Sequence, residues 1–104
     1  NSEQINLSRQ EKDKDSIWWW YKDLGRLRRD SEVLRRGQFV PLEAGTQVFA
    51  YQRVLGGEKL TVVLNFSDQP ASVSHRGQVL RSNWNKAHFD GRLSPWEAVI
   101  LIPQ

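Results

Sequence analysis

Apolar side chains in the first third of the chain recur at the spacing of one helix face. After a polar segment typical of a loop, residues 1–14, this face consists of Ile17, Trp20, Tyr21, Leu24 and Leu27. Asp15 and Ser16 are suited to cap a helix, because a short side-chain oxygen accepts a free first-turn N–H. The pattern predicts one amphipathic helix that begins near these two residues and ends within residues 30–32. Gly25 weakens such a helix by about 1 kcal/mol relative to alanine, so we expect another backbone to pass close to it.

Strand-like patterns replace the helical spacing after Gly37. Residues 46–54 and 59–66 are rich in β-branched and aromatic residues, and Gly56-Gly57 lies between them. This pair predicts a two-residue hairpin, because both central residues of a type I′ turn need a positive φ. Apolar residues on both faces of residues 59–66 favour an inner strand of a sheet.

The rest of the chain predicts shorter strands. Residues 71–75 and 78–82 fit two short strands, residues 83–91 a polar loop, and residues 93–102 a last long strand. Closely spaced strands after a single helix are typical of antiparallel sheets. We therefore predict a mainly β fold, an antiparallel β-sandwich preceded by one amphipathic α-helix. Its predicted core contains Leu60, Val62, Leu64, Val99 and Leu101.

Residues suited to catalysis or metal binding are scarce. The 104 residues give room for one domain, and they include no cysteine and two histidines, so neither a disulfide nor a zinc site is expected. A G-x-S-x-G elbow and the phosphate-binding glycine loops are absent from the sequence. We expect no catalytic residue, no metal and no cofactor in this chain.

The acidic residues of the β region have structural explanations. Asp68 and Asp90 stand beside turn residues, where their side chains bond to nearby backbone. Glu97 lies inside an apolar strand, and a buried carboxylate must be paired or hydrogen-bonded. We expect an arginine or backbone amides to pair with it.

Two features of the predicted helix indicate a contact surface. Trp18, Trp19 and Trp20 offer more apolar surface than a thin sheet covers, and such a surplus is typical of an interface. The alternative is that all three lie in the core.

The net charge of +3 comes largely from basic residues within 22–36. We interpret these as the solvated flank of the helix. Nucleic-acid or partner binding is the alternative, but nucleic acid is not expected, because no recognition motif accompanies the charge.

Trp84 supports a further alternative function. It stands in a polar, asparagine-containing loop, where a carbohydrate-binding module would place a ring that stacks on a sugar. On this interpretation the chain is itself a sugar-binding module.

The first residues bear on the origin of the chain. They are polar and charged and show no signal-peptide pattern, so we expect a cytoplasmic protein. No apolar run reaches the length of a membrane span, so no membrane contact is expected. Because the sequence starts at Asn1 rather than at methionine, we expect it to be part of a longer protein.

Short segments over nearly the whole chain carry a family resemblance. They are Ile5-Asn6-Leu7, Asp15-Ser16-Ile17, residues 48–53, 62–67 and 80–83, and Leu93-Ser94-Pro95-Trp96-Glu97-Ala98. In this order they resemble the end of glycoside hydrolase family 13 enzymes, above all the oligo-1,6-glucosidase and α-glucosidase group. The run Trp18-Trp19-Trp20 departs from the mixture of Phe and Tyr that the family has there.

The resemblance implies a division of the chain. Residues 1–36 would be a loop and the last helix of a (β/α)₈ barrel, and residues 37–104 would be domain C, the C-terminal antiparallel β domain. The catalytic Asp, Glu and second Asp of the family would lie upstream of Asn1. The implied function is a non-catalytic domain that stabilises the barrel of a retaining α-glucosidase.

The implied partner is the upstream barrel. A barrel helix buries one face on barrel strands, so the resemblance implies a barrel interface made of Ile17, Trp18, Trp20, Tyr21, Leu24 and Leu27. In the isolated chain we expect the helix to pack on the β domain or on a second copy. Part of residues 17–27 would then stay exposed and favour self-association.

Overall fold

The first elements that the structure describes are two helices. The computed structural model describes residues 14–84 and 86–102, with α1 at Lys14–Asp30 and α2 at Glu32–Arg36. Ser31 separates the helices, and its Oγ accepts a hydrogen bond from the Leu34 N–H at 3.2 Å. The predicted exit from the first helix is confirmed. The short second helix was missed, because five residues are too few to show a period.

Within the described residues, eight strands follow the helices and form two sheets. A six-stranded antiparallel sheet has the order β1-β2-β3-β8-β5-β6, and β4 pairs with β7. The strands are β1 Gln38–Leu42, β2 Val48–Leu55, β3 Glu58–Asn65, β4 Ala71–Ser72, β5 Gly77–Ser82, β6 His88–Phe89, β7 Arg92–Leu93 and β8 Ala98–Ile102. The predicted fold class is confirmed. Strand β1 was not predicted. It contains Pro41, which an edge strand tolerates because the outer N–H positions of an edge need no partner.

The predicted hairpin is confirmed, but its turn type differs. Leu55 pairs with Glu58 across the two glycines, and only Gly56 has a positive φ, 62°. A positive φ at the first central residue alone is the pattern of a type II′ turn, not type I′. The inner position predicted for the return strand is also confirmed, since β3 lies between β2 and β8.

The last long strand was predicted wrongly. Residues 93–102 divide into β7 and β8, with a turn at residues 94–97 in which the Glu97 N–H donates to the Ser94 carbonyl at 3.2 Å. Pro95 lacks an N–H, and Trp96 has a φ of 57°, so neither residue continues a ladder. Two smaller differences are that only Ala71–Ser72 of the predicted strand 71–75 pairs and that the predicted loop contains β6.

The buried side chains form two cores on opposite faces of the large sheet. The helix-side core contains Ile17, Trp20, Leu24, Leu34, Val62, Leu64, Ala98 and Ile100. The sandwich core contains Val48, Ala50, Val63, Phe89, Leu93, Val99 and Leu101. The five predicted core residues are therefore divided between two faces, and Leu60 is only partly buried at the edge of the first core. The helix-side core draws on both sides of the predicted 36/37 boundary.

No helix within the described residues is long and apolar enough to cross a membrane.

Candidate docking surface

Helix α1 has two opposed faces. Ile17, Trp20 and Leu24 are buried in the helix-side core, and Leu27 is partly buried beside them. At about 3.6 residues per turn, Trp18 and Trp19 lie away from this face, and they are 55% and 59% exposed. The three consecutive tryptophans are thus divided: one completes the core and two stand on the surface.

The two outer rings and a lysine form one surface unit, which we term the tryptophan surface. The Trp18 and Trp19 rings meet edge to face, with centroids 5.1 Å apart. The Lys22 ammonium lies 4.3 Å from the Trp18 centroid and 5.1 Å from that of Trp19. A cation at this distance is attracted to the ring faces. The unit therefore presents apolar area together with a positive charge.

These positions bear on the predicted barrel interface. The structure packs Ile17, Trp20 and Leu24 on the sheet of their own chain, which is the first of the two alternatives expected for the isolated helix. Trp18 is the predicted interface residue that is exposed, whereas the side chain of Tyr21 lies outside the described part of the chain. Contact with a barrel stays a prediction.

A second exposed aromatic area lies on the same side of the sheet. Phe49 and Tyr51 pair with Leu64 and Val62 of the helix-side core, so they share its face. The Tyr51 ring lies 4.9 Å from Phe39 and 5.4 Å from Phe49, centroid to centroid. We term these three residues the aromatic strip. Phe39 and Phe49 are exposed, because the helices do not cover this end of the sheet.

A cavity of about 140 Å³ separates α1 from the aromatic strip. It is lined by Leu24, Gly25, Arg28, Leu34, Tyr51 and Arg53. A Cβ added at Gly25 would meet nothing within 4 Å. The expectation that another backbone passes close to Gly25 is therefore wrong within the described chain, and the glycine borders open space.

The predicted sugar-stacking residue is placed differently from the outer tryptophans. Trp84 is half-buried, and its indole Nε1 is shielded from solvent. Its backbone N–H donates to Ser82 Oγ at 2.9 Å. A ring in this position presents less free surface than Trp18 or Trp19, and sugar binding stays a prediction.

Glu97 is the fully buried acid that the sequence singled out. Its Oε1 accepts the Ser94 N–H at 2.7 Å, and its Oε2 lies 2.7 Å from the Lys86 ammonium. The expected backbone amide is confirmed, but the cation is a lysine rather than an arginine. Nothing in the local pattern around Lys86 marks it as this partner, because the two residues meet only through the fold.

Two buried asparagines complete this polar cluster and were missed. Asn65 Nδ2 donates to the carbonyls of Gln69 at 2.8 Å and Ser94 at 3.1 Å. Asn83 Nδ2 donates to the Trp96 carbonyl at 2.8 Å, and its Oδ1 accepts the Ala98 N–H at 2.8 Å. These bonds hold the turn at residues 94–97, where Trp96 has its left-handed backbone. The cluster therefore fixes this loop.

Several other charged groups form contacts within their own segment. Among the described residues, no group of three His, Cys, Asp or Glu side chains is placed to hold a metal ion. The Arg92 N–H donates to Asp90 Oδ1 at 3.0 Å and lowers the pKa of that exposed carboxyl. Arg36 and Arg35 approach Glu32 at 3.5 and 3.9 Å, so part of the basic stretch is paired within α2.

Comparison with known proteins gives this architecture a context. The family described as "Maltogenic Amylase, C-terminal domain" matches residues 38–92. The chain is 40% identical over 110 residues to the oligo-1,6-glucosidase of Bacillus cereus, covering 99% of this chain and 19% of that protein. It is 33% identical over 103 residues to the glucan 1,6-α-glucosidase of Streptococcus dysgalactiae subsp. equisimilis, covering 94% and 19%. The chain thus spans about a fifth of the length of these relatives.

Solved structures, like the sequence relatives, match this chain over a small part of a longer chain. A mutant isomaltulose synthase from Erwinia rhapontici NX5, in complex with D-glucose, superposes with a TM-score of 0.65 and 29% identity, covering 82% of this chain and 17% of that one. The trehalulose synthase of Pseudomonas mesoacidophila MX-45 gives a TM-score of 0.65 at 25% identity, with 80% and 17% covered. In each case the match takes in a small part of a much longer chain.

Proposed function

Because the chain belongs to the family of maltogenic amylase C-terminal domains, we propose that it is the non-catalytic C-terminal domain of an α-1,6-glucosidase and stabilises that enzyme's catalytic barrel. The relatives named above carry the matching segment as about a fifth of a glucosidase. The catalytic carboxylates would belong to the remaining part. The reaction of the whole enzyme would be retaining hydrolysis of an α-1,6-glucosidic bond.

One observation carries the proposed mode of action. Helix α1 packs its inner face on the sheet and leaves Trp18 and Trp19 more than half exposed on the outside. Adjacent large apolar side chains exposed on one surface are typical of an interface. We propose that the tryptophan surface contacts the barrel, so that α1 is held between the barrel and the β domain.

The proposal is tested in the full-length enzyme, obtained by extending the reading frame upstream of Asn1. The double variant Trp18→Ser/Trp19→Ser removes the tryptophan surface. We expect its hydrolytic activity to be lost on heating roughly tenfold faster than that of the parent, which corresponds to about 1.4 kcal/mol. The control variant Trp18→Phe/Trp19→Phe keeps aromatic surface and should retain most of the stability.

The isolated chain supplies the contrasting measurement. There the same double serine variant should change the free energy of unfolding by no more than about 0.5 kcal/mol, because the two rings are outside the core. It should also abolish the self-association that we propose for the isolated chain, measured by sedimentation. Equal losses in both proteins would show a folding role for these rings and contradict the interface.

The substrate is tested separately. Isomaltose should be hydrolysed by the full-length enzyme, as the names of the relatives suggest. The structural neighbours are named for isomaltulose and trehalulose synthesis. Conversion of sucrose to an isomer, without isomaltose hydrolysis, would replace the proposed activity but leave the role of this domain unchanged.

A further inference from the structure

The cavity between α1 and the aromatic strip carries two arginines from different elements. Arg28 reaches it from α1 and Arg53 from β2, while Leu24, Leu34 and Tyr51 supply apolar and aromatic walls. Two guanidinium groups lining one cavity give it a positive potential. The lining therefore favours a negatively charged occupant.

Arg53 is held in place. Its Nη1 donates to the Gly37 carbonyl at 3.2 Å, and its guanidinium lies 5.4 Å from the Phe39 ring and 5.9 Å from the Tyr51 ring. A guanidinium has five N–H donors, so one bond to a carbonyl leaves donors for another acceptor. A fixed, stacked arginine is well suited to bind a planar carboxylate.

Neither arginine has an acidic partner in the described part of the chain. Arg35, Arg36, Arg81 and Arg92 each approach a carboxylate within 4.0 Å. Among the carboxylates whose side chains the structure describes, none pairs with Arg28 or Arg53 in the same way. The charge of the cavity is thus left for a group from outside these residues.

The position of the cavity indicates which group this is. It adjoins α1 on the same side of the sheet as the tryptophan surface, so a barrel seated on Trp18 and Trp19 also approaches its mouth. Gly25 at the rim adds no side chain, and a Cβ there would meet nothing within 4 Å. A volume of about 140 Å³ is small beside the ~300–1,000 Å³ of typical ligand pockets, but it suits one side chain.

We propose that this cavity receives the carboxylate of an aspartate or glutamate from the catalytic barrel, held between Arg28 and Arg53. The inference rests on the proposed function and adds a second, charged contact to the apolar one. Charge-assisted hydrogen bonds of this kind are short, and they fix the orientation of the two partners. The tryptophan surface would supply contact area, and the cavity would set the angle at which the domain sits.

Two variants of the full-length enzyme test the proposal. Arg28→Gln removes one charge without disturbing Arg53, and we expect heat inactivation to become three- to tenfold faster, with a weaker dependence on salt. Arg76→Gln is the matched control, because Arg76 is an exposed arginine in the loop between β4 and β5.

Gly25→Leu fills the mouth of the cavity and should also speed inactivation of the full-length enzyme. In the isolated chain it should raise the unfolding midpoint, since leucine favours a helix.

The outcomes separate this inference from the proposed function. If the tryptophan variants weaken the full-length enzyme but Arg28→Gln and Gly25→Leu do not, the cavity is no docking point and the inference fails alone. If none of these variants speeds heat inactivation of the full-length enzyme, both the docking cavity and the proposed barrel interface are contradicted. A crystal structure of the full-length enzyme decides the chemistry. A barrel carboxylate within 4.0 Å of Arg28 supports the proposal, whereas solvent, a free anion or an apolar side chain there overturns it.

Discussion

The two faces of the six-stranded sheet differ in how completely the chain covers them. On the sandwich side, Val63, Phe89 and Val99 are fully buried, under loops and the small β4–β7 sheet. On the helix side, α1 and α2 cover the centre of the sheet but leave the aromatic strip and the tryptophan surface in contact with solvent. The sandwich side buries its core with residues of this chain, whereas the helix side leaves large apolar side chains exposed.

Under the proposed function, the difference shows how a domain keeps one face ready for attachment to the rest of its enzyme. On the sandwich side the largest apolar side chains, Phe89, Leu93 and Leu101, are fully buried, because removing apolar area from water stabilises the fold. A face that meets a partner keeps such area exposed until the partner arrives. Family membership supports this interpretation, since the relatives carry the domain within a much longer chain.

The largest effect should come from removing a large side chain from the sandwich core. Phe89→Ala removes a fully buried ring from the sandwich core and should cost about 3–5 kcal/mol of unfolding free energy. Phe49→Ala is the matched control, because it removes the same ring from the exposed strip and should cost less than about 1 kcal/mol in the isolated chain. Urea denaturation of both variants measures the contrast. Equal losses would remove the distinction between the faces.

A smaller effect should come from the polar cluster at the end of β8. Glu97→Gln keeps an acceptor for the Ser94 N–H but leaves the half-buried Lys86 without its counter-charge. We expect a loss of about 1.5–3 kcal/mol, the range of a hydrogen bond to a charged group. The double variant Glu97→Gln/Lys86→Met should recover part of this loss. Without such recovery, the lysine is not the partner that matters, and the backbone bonds alone hold the turn.

The smallest effect should be the acid sensitivity of the loop at Asp90. The Arg92 N–H lowers the pKa of this carboxyl in the folded chain, so ionised Asp90 favours folding above its unfolded pKa of about 3.9. This contribution is lost as the pH falls through the lowered folded value. Asp90→Asn should therefore make the melting temperature fall less steeply below about pH 4. At neutral pH the melting temperature should be almost unchanged. An unaltered acid profile would contradict the assignment.

Local sequence patterns predicted α1 and the β2–β3 hairpin but not α2, β1 or β6. The helical spacing around Ile17–Leu27 placed α1, and the glycine pair placed the β2–β3 hairpin, because each depends on neighbours in the chain. The break at Trp96 was missed, since its left-handed backbone is maintained by Asn83 and by the Ser67 carbonyl, which accepts the Trp96 N–H at 3.0 Å. Those partners come from distant segments.

The sequence predicted only part of the candidate docking surface. Three tryptophans in a row indicated an excess of apolar area, but not which of them the sheet would cover. The aromatic strip and the cavity had no local signal at all. Phe39, Tyr51 and Arg53 come together only because β1 pairs with β2, and Arg28 joins them only because α1 crosses that face.

The sequence by itself determined the amphipathic helix, the hairpin, the inner strand, the mainly antiparallel β class and the family, because periodicity, turn chemistry and motif order are local or linear properties. Only the tertiary structure decided that β8 lies between β3 and β5, that the core is split between two faces, that Lys86 pairs with Glu97, and that Trp20 is buried while Trp18 and Trp19 are not. Each of these depends on which distant segments meet. A strand pattern shows that alternate residues face opposite ways, but the packing of the whole chain decides what lies on either side.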